Sequence, residues 1–461
     1  MNVEYKLDYE KINKAFGKNY QIFRRKTTYV LPLPTREPDR AKFERGFISV
    51  VGGIVRRINE KSINEEKDYN IDDKLDNNVS FINEDSRKLF NQFVQAQLEE
   101  LYSGQIDSLQ QLEQVPLAVS TNEQKGEKDY INFFYDTFIR GDEDYVKGIL
   151  ERMDSSHIVN EILSYIVSNE ENSPVKKQHN QLYKTHFEEF RTQFLKDLNL
   201  LASSETFFFE NIAKLCVHYT SVAISQTVLQ TNHMADFNQE EFVPVYYIMY
   251  WEKAAKWRAS YEQGFKMLRE QISDFYAHEH ALNILGLNTF TSESNMFYHD
   301  LKQFLHEAGP DAEKEFTKSI YNLMKDVYEK EKGIEVTDYE ADKTLDDAFF
   351  DLFNTVKQTV SSEINSRYPK AFEALITGFF RKNGGPLGTL ISLNRDQLLL
   401  LVALSVGPNR IELNQLWKEL EKHGVWLDYL SKEEVINVLD KLNYMEKKSD
   451  SGDAQYVKSI L

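Results

Sequence analysis

The stretch from Asn394 to Leu461 limits the fold of this chain most, because its punctuation is complete. Asn394 is placed to cap a helix, with Gln397 three residues on to reach back, and the run Leu398-Leu-Leu-Leu-Val402 is too short to span a bilayer and suits a buried helix. Gly407-Pro408 stops it. A second helix carries Ile411, Leu413, Leu416, Trp417 and Leu420 on one stripe and ends before Gly424. Ser431 is expected to cap a third helix, Glu434 to complete its capping box, and Val435, Val438, Leu439 and Leu442 to face inward. Tyr444-Met445-Glu446 and Gln455-Tyr456-Val457 then read as two strands around a polar turn. Helix, helix, helix, hairpin is the order of a winged-helix-like module, which serves DNA or protein binding alike.

The rest reads as mainly α. With 19 Gly and 10 Pro in 461 residues, helix interiors are seldom interrupted. Apolar stripes recur at helical spacing: Ile158, Ile162, Ile166; Phe187, Phe190, Phe194, Leu198, Leu201; Phe208, Ile212, Leu215, Cys216, Tyr219, Ala223. Pro310 opens a helix with Asp311 and Glu313 in its first turn and Lys330 and Lys332 before Gly333, with Phe316, Ile320, Leu323 and Val327 inward. Pro369 opens another, with Phe372, Leu375, Ile376 and Phe379 inward, and Asn383-Gly-Gly-Pro386 is expected to end it as a hinge. No repeat of fixed period indicates a solenoid. The expected division is an N-terminal basic segment and helix (1–58), an acidic linker with a helical part (59–128), a helical body (129–389) and the winged-helix-like module (390–461).

Charge is unevenly spread. The chain carries −18, yet residues 18–58 hold ten basic residues, Lys18, Arg24, Arg25, Lys26, Arg36, Arg40, Lys42, Arg45, Arg56 and Arg57, against Glu37, Asp39 and Glu44. Tyr29-Val-Leu-Pro-Leu-Pro34 must be extended, since each Pro moves its predecessor out of the α region. A helix is expected from near Pro38, with Phe43, Phe47, Val50, Ile54 and Ile58 on one face and Gly52-Gly53 allowing close approach of another backbone. Arg24, Arg25, Lys26, Arg36, Arg40, Lys42 and Arg45 are the candidate DNA contacts, because guanidinium forks match phosphate and an acidic chain needs a local basic patch to meet DNA. Their internal alternative is the chain's own acidic segment 59–144. In the C-terminal module nine basic residues face eleven acidic ones, which favours protein docking over DNA reading; Trp417, Lys432, Lys441, Lys447 and Lys448 are the docking candidates.

No catalytic set is legible. Gly384-Gly-Pro-Leu-Gly-Thr389 lacks the Lys-Ser/Thr of a P-loop, and His278-Glu-His280, with His299 and His306 further on, lacks metal-ligand spacing and reads as exposed helix-end histidines. No clustered carboxylates with a Lys mark a nuclease, and Cys216 reads as a buried core residue. In Tyr246-Tyr-Ile-Met-Tyr-Trp-Glu-Lys-Ala-Ala-Lys-Trp-Arg258, Trp257, Tyr261, Leu268 and Ile272 read as a core stripe, with Lys253, Lys256 and Arg258 solvated. No cofactor or metal is expected. The single Cys and the absence of an apolar leader or spanning segment point to a cytoplasmic protein without membrane contact.

Three stretches carry a resemblance: Val30-Leu-Pro-Leu-Pro-Thr-Arg36, Lys42-Phe-Glu-Arg-Gly-Phe-Ile-Ser-Val-Val-Gly52 and the tail 442–461. They resemble DptG (also called DndG), the G component of bacterial DNA-phosphorothioation-dependent restriction systems. The resemblance implies a non-catalytic subunit of an antiviral defence complex. Its partners would be the F and H components, which carry ATPase motifs, with double-stranded DNA met through the complex. The competing expectations are a cytosolic scaffold with a winged-helix docking domain and no restriction role, and a cryptic nuclease.

Overall fold

The helix Glu205–Thr231 runs through the middle of the molecule, and nearly every residue after Leu215 in it is buried. A helix apolar on all sides belongs inside a core. Its polar side chains are satisfied locally: Thr220, Ser225 and Thr231 donate to carbonyls one turn back. Gln226 and Gln230 bond the backbone of Val243, Glu241 and Asn238. This computed structural model describes residues 4–15, 26–34, 36–63, 80–103, 106–153, 158–167, 180–249, 251–293, 295–447 and 455–461. Helix accounts for 63% and strand for 6%, so the architecture is mainly helical.

The helices Ile48–Ile58, Thr121–Phe134, Glu188–Leu201, Phe265–Ser273, Phe275–Leu285, Pro310–Leu323, Leu345–Thr359 and Arg367–Ile376 pack around or beside the central one. The stripes 187–201, 208–223 and 316–327 all point inward. A continuous core runs from Leu7 to Val457 and so includes the C-terminal unit, while Val94, Leu98, Leu101, Leu163 and Ile166 form a small separate core between Glu84–Ser103 and Ile158–Val167. Gly52 and Gly53 serve close approach: a Cβ at Gly52 would lie 2.7 Å from the Leu112 carbonyl, and one at Gly53 would lie 2.2 Å from Ile131.

At the C-terminal end, the Asn394 side chain accepts from Gln397 N–H at 2.8 Å and caps Arg395–Val406. Leu413–Lys422 and Tyr429–Lys441 follow. Ile411–Glu412, Gln455–Val457 and Met445–Lys447 form an antiparallel sheet with the C-terminal strand in the middle. Two further pairings tie segments together. Tyr246–Tyr247 runs parallel to Trp426–Leu427, and Arg381–Asn383 pairs antiparallel with Thr389–Ile391.

Several local expectations are corrected. Pro38 opens only a 3-10 turn, Glu37–Asp39; extended Arg40 and positive φ at Phe43 and Gly46 delay the α-helix to Ile48. Residues 120–128 are not a polar gap but lie mostly in the helix Thr121–Phe134, so the expected boundary at 128 falls within it. The helix Arg367–Ile376 ends before Gly378 at φ 87°, and Asn383–Pro386 is not a hinge but part of a β-hairpin, with Gly385 and Gly388 in the left-handed region. The third C-terminal helix is capped by Asp428, three residues earlier than Ser431, which is buried. Asp-x-x-Ser and Ser-x-x-Glu are both legitimate starts, and tertiary contacts chose the first.

Candidate functional site

The basic segment meets the rest of the chain at most of its described cations. Lys26 Nζ lies 2.5 Å from the buried carboxylate of Glu279, which also accepts from the Tyr368 hydroxyl. Burial works against the Lys26 charge, and Glu279 more than offsets it, holding the ammonium above its ordinary pKa. Arg40 pairs with Glu37 at 3.2 Å, and Lys42 with Glu123 at 2.7 Å. Arg45 donates to the carbonyls of Pro116 and Leu117, each at 2.9 Å. Buried Arg56 bonds the carbonyls of Glu113 and Val115, and Arg57 bonds Asn132 and packs its guanidinium over the Tyr135 ring. Arg36 is exposed and makes no ion pair among the described residues. Arg24 and Arg25 lie outside the described residues. The placed cations thus fasten residues 26–57 to the segment 113–136 and to the helix Phe275–Leu285.

The second constellation is the seam between body and C-terminal unit. Here the expected orientation of two neighbours is reversed: Trp257 is 77% exposed, while the Arg258 side chain is 1% exposed. The short helix Ala259–Glu262 and the break at Gly264 put Trp257 out of phase with Leu268 and Ile272 on Phe265–Ser273. Arg258 forks onto Asp428, Nε to Oδ2 at 2.9 Å and Nη2 to Oδ1 at 2.6 Å, and Nη2 also reaches Ser431 Oγ at 2.9 Å. Ser260 donates to Asp428 at 2.7 Å, and the Met249 N–H to Ser431 at 3.2 Å. Burial alone would raise the Asp428 carboxyl; the Arg258 fork and Ser260 outweigh it and hold it well below the carboxylate range.

A second buried charge pair lies across the same seam. His423 Nε2 is 2.8 Å from Asp197 Oδ2, and His423 Nδ1 is 2.7 Å from the Glu419 carbonyl. Both neighbours are acceptors, so both ring nitrogens donate and the ring is an imidazolium. Burial opposes this charge, and Asp197 more than compensates, raising the His423 pKa. Tyr219 OH and Gln193 complete the Asp197 shell at 2.6 and 2.9 Å. His218, pushed down to about 3 by burial, donates Nε2–H to the His423 carbonyl at 2.8 Å. A Cβ on Gly424 would lie 2.4 Å from Val222, so the turn after His423 rests directly on the central helix.

Around this seam stand the docking candidates. Lys432 lies over the Trp417 ring at 5.4 Å, and Lys441 is exposed. Lys447 belongs to the strand Met445–Lys447, and Lys448 lies outside the described residues. Tyr429, next to Asp428, is 73% exposed, as Trp257 is next to Arg258, so two aromatic rings flank the ion pair. The exposed positions of the third helix are Tyr429, Glu433, Asn437, Asp440 and Lys441, while Ser431 at its N-terminal end is covered by the body. That face opposes a phosphate backbone and offers a protein partner large rings beside mixed charge.

The histidines near 280 are corrected too: they are not exposed helix ends but buried within Phe275–Leu285. His278 stacks on Phe353 with ring centroids 4.1 Å apart, and burial pushes it down to about 3. His299 stacks on Phe237, with Nε2 3.2 Å from Asp300. Burial raises the Cys216 thiol. Among the described residues, no three His, Cys, Asp or Glu side chains are grouped to hold a metal ion, and no helix is long and apolar enough to cross a membrane. The sequence reading missed Asp197, His423, Arg258 and Asp428 as a set. Their partners lie 226 and 170 residues apart, and the one local signal was Asp428 as an alternative helix cap.

No protein-family model matches the chain, and no curated protein matches it either.

Proposed function

We propose that this chain is a non-catalytic, assembling subunit of a phosphorothioation-dependent DNA restriction complex, seated in the cytoplasm beside the F- and H-type ATPase components. The resemblance of 30–36, 42–52 and 442–461 to DptG supports the family. Val30, Leu31, Leu33, Phe43, Phe47, Val50 and Val457 in these stretches are core residues, so what is shared there is framework. The observation that carries an assembling role is the seam. The C-terminal unit, read as winged-helix-like from its element order, is held on the body by two buried charge pairs, with Trp257 and Tyr429 exposed beside one of them. Rigidly presented Trp and Tyr are the residue types that anchor protein interfaces.

The scaffold reading without a restriction role has one observation in its favour: Lys26, Arg40, Lys42 and Arg45 all bond within the fold, which weakens the case for DNA contact at those positions. Affinity purification of the tagged chain from its native cell separates the two. Co-purification with two ATPases, lost in a Trp257→Ala/Tyr429→Ala variant that stays folded, is the expected result. Recovery without any ATPase would remove the restriction reading. Assays of the isolated chain with ATP and with plasmid, in Mg²⁺ or Mn²⁺, are expected to show no turnover; activity that survives further purification would return the cryptic nuclease.

A further inference from the structure

A cleft of about 740 Å³ opens where the segment before Ile48–Ile58, the start of Thr121–Phe134 and the end of Arg367–Ile376 meet. Four cations from three separate parts of the chain line it: Arg40, Lys42, Lys370 and Arg381. Three carboxylates, Glu37, Glu123 and Glu373, line it as well. Two of these are engaged, Glu37 by Arg40 and Glu123 by Lys42, whereas Lys370 and Arg381 are exposed and make no ion pair among the described residues. Arg40 is held tightly, with its side chain 13% exposed, yet its Nε and Nη2 have no hydrogen-bond acceptor among the described residues. Buried guanidinium N–H groups without acceptors are uncommon in folded proteins.

The cleft also receives the N-terminus of a fourteen-residue helix. Ser120, its N-cap, has extended backbone but makes no side-chain bond to the first turn. The first N–H groups of Thr121–Phe134 therefore lack a side-chain cap, and Ser120, Asn122 and Glu123 all face the cleft. Helix N–H groups, the positive end of the helix dipole and converging Arg and Lys side chains are the chemistry that holds phosphoryl oxygens. No aromatic ring lines the walls, so there is no platform on which a base could stack. The three carboxylates oppose a long polyanion more than a compact dianion, whose charge reaches only the cations.

We propose that this cleft binds the phosphoryl group of a small phosphate-bearing ligand, with Arg40, Lys370, Arg381 and the first turn of Thr121–Phe134 as its donors. The proposal is independent of the restriction reading: it concerns Lys370 and Arg381, which that reading does not use, and a soluble ligand rather than a partner protein.

The test titrates the full chain with inorganic phosphate, with ATP and with a short DNA duplex, following heat of binding. Two variants are compared with wild type after their folding is checked by circular dichroism. Ser120→Asp keeps a good helix cap but places a carboxylate where the anion would sit. Lys370→Gln/Arg381→Gln removes two exposed charges. Phosphate or ATP is expected to bind wild type, and each variant is expected to lose roughly tenfold or more in affinity, since a charged hydrogen bond is lost or opposed. Lys418→Gln, an exposed change on Leu413–Lys422, is expected to bind as wild type does. Binding of the duplex alone, with the same sensitivity to both variants, would identify a backbone phosphodiester as the source of the phosphoryl group. Binding of no probe, or variants that bind as tightly as wild type, would overturn the proposal.

Discussion

The two ends of this chain use charge in opposite ways. The N-terminal segment has a large local excess of cations, and its arginines bond mainly to backbone carbonyls and to partly exposed acids. The C-terminal unit is close to neutral, yet it is fixed to the body by two charge pairs almost fully withdrawn from water. Local charge balance therefore does not tell which end depends on electrostatics for its place in the fold. Burial and partner geometry decide that, because a charge gains or loses energy according to what replaces its water.

The sharpest way to break this comparison is to remove one member of a seam pair. Arg258→Ala leaves Asp428 half-buried without its fork and leaves Ser431 without its donor. We expect a loss of about 3–5 kcal/mol in urea unfolding. A loss below about 1 kcal/mol would mean that the seam is held by apolar packing alone. The double change Arg258→Met/Asp428→Leu should recover much of the loss, since both charges are then gone.

The Asp197–His423 pair makes the comparison sensitive to pH. The folded pKa of His423 lies above its unfolded value near 6.5. Its contribution is therefore complete below about pH 6.5 and is lost as pH rises through the folded value. His423→Gln should cost about 2–3 kcal/mol at pH 6 and progressively less on the alkaline side. Equal losses at pH 6 and pH 9.5 would show that the ring is neutral in the folded protein.

Effects at the other end should be smaller, with one of opposite sign. Burial raises Asp129, on Thr121–Phe134, to about 6 although Lys26 acts against it. Ionising it in the folded state costs stability, and that cost grows from about pH 4 and is complete above pH 6. Asp129→Asn should therefore raise stability by about 1–2 kcal/mol at pH 7.5, discounted for its partial exposure, and leave it unchanged near pH 3.5. Arg45→Ala, which strips two carbonyls of their donor, should cost about 1–2 kcal/mol, whereas Arg36→Ala should leave the melting temperature unchanged.

For DNA, the two ends are sharpened by separating structural from free cations. Arg24→Ala/Arg25→Ala and Lys432→Ala/Lys441→Ala, each in the assembled complex, should be titrated with duplex across a salt series. A loss common to all sequences, with a slope reduced by roughly 0.9 per lost phosphate contact, is expected for the first variant and little change for the second. The reverse outcome would place DNA contact at the C-terminal unit.

Helix faces were legible because they are local. Phe187 to Leu201, Phe208 to Ala223 and Phe316 to Val327 point inward as their spacing indicates, since periodicity is a property of one element and water. The mainly helical class, the Asn394 cap, the closely approached Gly52-Gly53 and the buried Cys216 follow from the same short-range rules. The sequence could not say that Trp257 faces water and Arg258 faces the core, or that Asp428 rather than Ser431 begins the third helix. It also could not say that Lys26 meets Glu279, or that Arg40, Lys370 and Arg381 share one cleft. Each of these depends on a partner far along the chain, and nothing in a residue's neighbours records which distant acceptor will replace its water. Tertiary packing decided them, because a buried charge is tolerated only where a complementary group has already been brought to it.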